Sequence, residues 1–189
     1  MKDEKFNDIS KWCYIHICKT GGSYLHKFFS HLNFKHSQSH KKVTEYDFDI
    51  NKYYTFVCKR NPYQRLHSMF EFYTKQNIHF LDKNIKDFIF NIPEYIKGDG
   101  YFLRPQVEYF EIDNVAKVDY IIDFNNLEQS IESFLKLFNL PYPDVARNYN
   151  WNINLKKRPL IIEEWDRETI DKANSIYKKD FEFFGYKTL

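Results

Sequence analysis

No apolar run in the chain approaches the roughly 18–20 residues that a bilayer crossing needs, so no membrane span is expected. The first residues, "MKDEKFNDISKW", carry charge where a secretory leader would carry an apolar core, which points to a cytoplasmic or otherwise intracellular soluble protein. Cysteine is scarce: Cys13, Cys18 and Cys58 are odd in number and form no Cys-x-x-Cys pair. That spacing argues against a disulfide framework and against a zinc site, and suits buried thiols in a reducing compartment; no metal is expected. Charge of one sign is also missing. With 28 basic and 26 acidic residues the net charge is +2, too even for a nucleic-acid binder. The short basic clusters "KRNPYQR" and "LKKRP" suit a small anionic ligand better than a long polyanion. Neither an internal repeat nor a low-complexity linker interrupts the sequence.

What is present is apolar and aromatic. Hydrophobic residues make up 43% of the 189 and aromatics 20%, enough for a real core and most simply one domain over residues 1–189. "KWCYIHI" (Lys11 to Ile17) reads as a buried strand that Gly21 and Gly22 end. Tyr24, Leu25, Phe28, Phe29 and Leu32 then recur at helical spacing. "YYTFVCK" (Tyr53 to Lys59) reads as a second strand. Behind it, Asn61 is a good N-cap, Pro62 fits the first helical position, and Tyr63, Leu66, Phe70 and Tyr73 form a stripe. Val118 to Phe124 reads as a third strand. Asn125 with Glu128 then suggests a capping box ahead of Leu127, Ile131, Phe134, Leu135 and Phe138. Glu168 to Lys179 reads as a C-terminal helix on Ile170, Ala173 and Tyr177. Strands alternating with helices predict an α/β fold, a central parallel sheet flanked by helices, with ligands at the carboxyl ends of the strands.

Two strand ends carry anion-binding chemistry. In "CKTGGS", Gly21 and Gly22 permit a close backbone approach and positive φ, and the helix behind them adds unsatisfied N–H groups and its positive dipole end. Lys19 adds a full charge, and Thr20 and Ser23 add hydroxyls. Lys19 precedes the glycines, however, whereas in the common phosphate loop the lysine follows the last one. At the second strand end, Lys59 and Arg60 lead into a helix that also bears Arg65 and Ser68. Arg60 has the planar fork for bidentate phosphate recognition, though an arginine there could equally pair with a carboxylate. Together the two ends suggest a ligand with two separated anionic groups.

"HICKTGGSYL" resembles the His-x-Pro-Lys-Thr-Gly-Gly-Thr-Ser-Leu loop of sulfotransferases, and "FVCKRNPYQRLHSMF" resembles their Phe-x-Val-Arg-Asn/Asp-Pro-x-x-Arg-Leu-x-Ser-x-Tyr segment. The likeness is to the carbohydrate group that includes uronyl 2-O-sulfotransferases. "YFLRPQVEYF", "VDYIIDFNNLEQSIESFLKLFNL" and "IYKKDFEFFGY" resemble later family segments in the same order, so coverage runs from about Tyr14 to Tyr186. Cys18 stands where the family has proline, Ser23 where it has threonine, and Asp123 and Asn125 depart from its Arg-Phe-Glu-Asn-Leu pattern.

The resemblance implies a P-loop-like three-layer fold, a donor, 3′-phosphoadenosine 5′-phosphosulfate (PAPS), and an acceptor hydroxyl, of a carbohydrate first. Carried over by motif, Lys19, Thr20, Gly21, Gly22, Ser23 and Tyr24 hold the 5′-phosphosulfate, and Arg60 and Ser68 hold the 3′-phosphate. Lys19 neutralises the leaving phosphate oxygen. A histidine after the first helix serves as base: His36 in first place, His40 second. Arg104 and Gln106 are candidate acceptor or donor contacts, and Lys156, Lys157 and Arg158 candidate lid residues. His16 is read as structural. Two rivals stand beside this: a nucleotide or phosphate kinase, and a non-catalytic protein that binds PAPS or its product, adenosine 3′,5′-bisphosphate.

Overall fold

The computed structural model describes residues 9–29, 32, 34–36, 40–76, 84–98, 100–142, 162 and 165–189. In chain order the elements are β1 (Trp12–Tyr14), α1 (Gly22–Phe29), β2 (Lys35–His36), β3 (Tyr54–Lys59), α2 (Pro62–Lys75), α3 (Ile85–Lys97), β4 (Glu111–Ile112), β5 (Val115–Ala116), β6 (Tyr120–Asp123), α4 (Leu127–Leu137), α5 (Arg167–Ile176) and α6 (Lys178–Phe184). Short 3-10 turns punctuate the connections. The chain falls into two compact units, Met1–Lys59 with Tyr109–Lys157, and Arg60–Glu108 with Arg158–Leu189.

The first unit holds a parallel sheet in the order β2-β1-β3-β6. The alternation of a strand sends Trp12, Tyr14, Tyr54, Phe56, Cys58 and Ile122 to one face. There they pack with Leu25, Phe28 and Phe29 of α1 and Leu127, Ile131, Phe134 and Leu135 of α4. This bears out the expected mixed α/β arrangement of a parallel sheet with helices against it. Asp119, just before β6, pins that strand to β3 by accepting from Thr55 N at 2.7 Å and Thr55 Oγ1 at 2.9 Å. The capping box expected at Asn125 does not form. Asp123 takes the role instead, its carboxylate accepting from Asn125 N at 2.9 Å ahead of a 3-10 turn, Phe124–Asn126, that precedes α4. A hairpin of β4 and β5 turns through Asp113 and Asn114, both at positive φ (50° and 61°), as a two-residue hairpin loop favours.

Strand order fixes where a ligand of this sheet belongs. From β1 the chain moves to β2 on one side, then returns to β3 on the other side of β1 and on to β6. The neighbouring carboxyl ends of β1 and β3 therefore mark the point at which the order reverses.

The second unit is helical. Asn61 caps α2 as expected, its side-chain oxygen accepting from Tyr63 N at 3.0 Å and Gln64 N at 3.4 Å, with Pro62 in the first turn. Tyr63, Leu66, Met69 and Tyr73 of α2 meet Phe88, Ile89 and Ile92 of α3 and Ala173, Tyr177 and Phe181 of the C-terminal helices. The C-terminal helix expected over Glu168 to Lys179 is divided at Tyr177 into α5 and α6. Helix α3 had no counterpart in the sequence reading. Its interior Pro93 reads as a breaker, yet Asn84 caps it by accepting from Asp87 N at 2.9 Å. No helix among the described residues is long and apolar enough to cross a membrane.

Candidate functional site

Past Tyr14 the chain continues through the buried Ile15 and Ile17 and must then reverse into α1. Thr20, fully buried, anchors the reversal by donating its hydroxyl to Ile17 O at 2.9 Å. Its hydroxyl is thus tied to the main chain. Lys19 and Gly21 take left-handed backbone at φ 63° and 86°. Glycine accepts that freely, but a side chain held there costs about 1–2 kcal/mol, the kind of strain that collects at functional turns. Gly21 O then receives Tyr24 N and Leu25 N, each at 3.0 Å, which starts the helix. The amides of Gly22 and Ser23 lie ahead of those bonds, at the positive end of α1.

The two glycines are small for different reasons. A Cβ on Gly21 would meet the Phe124 ring at 3.0 Å, besides its strained φ. On Gly22 a Cβ would lie 1.6 Å from His16 Nε2, so this position is bare to admit an imidazole. The His16 ring stacks on Tyr14 at 5.8 Å between centroids and meets His40 edge-on at 4.4 Å. His40 Nδ1 lies 3.3 Å from His16 O. A carbonyl can only accept, so Nδ1 is the donor in this contact.

At the end of β3, Lys59 sits opposite Asp123 in register, and their charged groups pair at 3.5 Å. Part of the positive charge expected at this strand end is therefore balanced within the sheet.

No protein family, curated protein or solved structure matches the chain. The chemistry of the site accordingly rests on the residues themselves.

Arg60, Arg65, Ser68, Arg104 and Gln106 belong to the second unit. Arg60 and Ser68 are partly exposed, as ligand contacts need to be. Arg65 is buried: its fork donates to Arg104 O and Phe102 O, each at 3.0 Å, and lies over the Tyr177 ring. It joins turns together and is not a surface cation. Arg104 is also buried, its guanidinium 5.6 Å from the centre of the Tyr101 ring. Gln106 is fully buried. Its side-chain oxygen accepts from Arg60 N at 2.9 Å, and its side-chain nitrogen donates to Arg60 O at 2.9 Å and Asp180 Oδ2 at 3.1 Å. Both ends of the Gln106 amide are thus engaged inside the protein, with Arg60 and Asp180.

The structure thus gathers Lys19, Thr20, Gly21, Gly22 and Ser23 in one turn, with Tyr24 half-buried behind them and His40 brought alongside through His16. His36 lies on β2 opposite Tyr14, and its side chain is outside the described residues, as are Lys156, Lys157 and Arg158. Sequence reasoning missed Asp180, which is fully buried and whose burial raises its carboxyl above the usual carboxylate range. A signal for it existed. In "IYKKDFEFF", Asp180 shares the spacing of Tyr177, Phe181 and Phe184, which places an acid on the apolar face of the helix.

Proposed function

We propose that the chain is a PAPS-dependent sulfotransferase of P-loop-like, three-layer type, moving a sulfuryl group to an acceptor hydroxyl, of a carbohydrate. The observation that carries this reading is Lys19 in left-handed backbone, ahead of the leading amides of α1, at the point where strand order reverses between β1 and β3. The donor set fits an anion that bridges two acidic centres: main-chain N–H groups, one ammonium and the Ser23 hydroxyl. In the transfer the acceptor oxygen forms a bond to sulfur as the bond from sulfur to the bridging phosphate oxygen breaks. The products are the sulfate ester and adenosine 3′,5′-bisphosphate. Lys19 stabilises charge gathering on the leaving phosphate oxygen, and the helix amides hold the sulfuryl oxygens in line. The acceptor's proton passes to a histidine. Support for His40 in that role is its hydrogen bond to His16 O and its contact with the His16 ring beside Gly22; His36, first on sequence, lies on β2 opposite Tyr14. Arg60, with Ser68, is assigned the 3′-phosphate.

Thermal unfolding tests the binding step. Adenosine 3′,5′-bisphosphate is expected to raise Tm by mass action, and ATP with magnesium to raise it much less. Sulfate transfer from labelled donor to a panel of glycans and small hydroxyl compounds tests the reaction. Lys19→Ala should lower turnover by about 10²–10³-fold, the usual loss of a charge-stabilising donor; unchanged turnover would defeat the mechanism. Turnover absent from the wild type alongside tight bisphosphate binding would leave the non-catalytic binder.

One observation favours a kinase. Asp123 places a carboxylate at a strand end beside β3, where a magnesium-dependent phosphate-loop enzyme needs an acid. Its pairing with Lys59 and its capping of Asn125 N–H occupy that carboxylate, and the lysine stands on the wrong side of the glycines. A larger Tm shift with ATP and magnesium than with the bisphosphate would reverse the preference.

A further inference from the structure

We infer that Gln106 and Asp180 form a positioning pair that sets the aim of Arg60, and through it the preference for a nucleotide bearing a 3′-phosphate; this rests on the assignment of Arg60 given above. Arg60 lies between the last residue of β3 and the N-cap of α2, a place where main chain has no regular partner. A single side chain supplies both of its missing partners. Gln106 accepts from Arg60 N and donates to Arg60 O, each at 2.9 Å, as a neighbouring strand would. The peptide groups on both sides of the Arg60 Cα are thereby fixed, and with them the direction in which its side chain leaves the chain.

Gln106 is itself held. Asp180 Oδ2 accepts from Gln106 N at 2.8 Å and from its side-chain nitrogen at 3.1 Å, while Oδ1 accepts from Val107 N at 3.0 Å. With its nitrogen shared between a carboxylate and a carbonyl, the amide cannot flip without facing its oxygen toward two acceptors. Helix α6 thus fixes Asp180, Asp180 fixes Gln106, and Gln106 fixes Arg60. All three residues belong to the second unit. The design is expensive for a structural tie. A carboxylate with no solvent exposure is costly to desolvate, even with the Arg65 guanidinium near enough to favour its charged form. An apolar contact could close the same turn but could not fix the rotation of a peptide. A bidentate arginine contact needs that rotation, because a misplacement of about 1 Å can cost roughly a hundredfold.

The test compares adenosine 3′,5′-bisphosphate with adenosine 5′-monophosphate by titration calorimetry on the whole chain. Wild type is expected to bind the bisphosphate more tightly. Gln106→Met, close in volume but without either polar end, is expected to cut that preference about tenfold or more while leaving the monophosphate affinity within about twofold. Asp180→Asn keeps the shape of the anchor and loses one acceptor; it carries the same expectation should the methionine variant fail to fold. A variant that is less stable yet keeps the full preference shows a merely structural role and overturns the inference. A wild type that does not distinguish the two nucleotides overturns the assignment of Arg60, and this inference with it.

Discussion

In the glycine turn of the first unit, geometry is held by main chain under strain, whereas around Arg60 in the second unit it is held by buried side chains. The turn reaches its shape through left-handed Lys19 and Gly21, the Thr20 hydroxyl on Ile17 O, and an imidazole lying where Gly22 has no Cβ. The Arg60 segment has ordinary backbone, fixed from outside by Gln106 and Asp180. On the proposed function, the difference follows from what each presents to the nucleotide. A cradle of N–H groups is made of backbone, so the backbone itself has to be bent. A guanidinium is a side chain, so only its point of departure has to be held.

The contrast can be broken at the side-chain end with the largest effect. Asp180→Ala leaves the amides of Gln106 and Val107 and the charge of Arg65 without their buried partner. It should cost about 3–5 kcal/mol in urea denaturation, well above any change at the turn. A loss below about 1 kcal/mol would mean that water replaces the carboxylate easily.

At the main-chain end, Gly22→Ala should cost about 1–3 kcal/mol through overpacking, since the new methyl group coincides with the His16 ring. The double variant Gly22→Ala with His16→Ala should recover most of that loss. A purely additive result would show that His16 does not set the need for glycine.

Lys19→Gly sharpens the comparison further, because it removes the strain and the proposed phosphosulfate contact together. It should gain about 1 kcal/mol of stability relative to Lys19→Ala while both lose nucleotide binding. Equal Tm values for the two variants would remove strain from the account of the turn.

A last effect is alkaline and in the first unit is carried by Cys13 and Tyr54. Burial pushes the Cys13 thiol up to about 12 from 9.0 and the Tyr54 phenol up to about 12 from 10.0. Both groups stay protonated in the folded state between those limits, while the unfolded chain has released its protons. Stability should therefore fall as pH rises from about 9 toward 12 and be unaffected by these groups below it. Urea midpoints at pH 8 and pH 10.5 measure the slope, and Cys13→Ala should make it shallower.

Much of the framework was legible because it is local. The strand read over Lys11–Ile17 appears in shorter form as Trp12–Tyr14 and that over Tyr53–Lys59 as Tyr54–Lys59; these, the Asn61–Pro62 start of α2 and the stripes of α2 and α4 follow from neighbours in sequence. Helix α3 was hidden by Pro93, and the cap near Asn125 was displaced because Asp123, two residues earlier, reaches the same 3-10 turn. For the candidate site, the residues of the glycine turn were legible as one contiguous stretch.

Sequence by itself determined that a parallel α/β sheet would end in a cationic glycine turn, because strand periodicity, helix caps and glycine's freedom are written in adjacent residues. Only tertiary structure decided that Gly22 serves His16, that His40 meets that same imidazole, and that Gln106 turns inward to hold Arg60. Those contacts join residues from 6 to 46 positions apart, and which partners a side chain finds at such separations is set by packing, with no periodic signal along the chain.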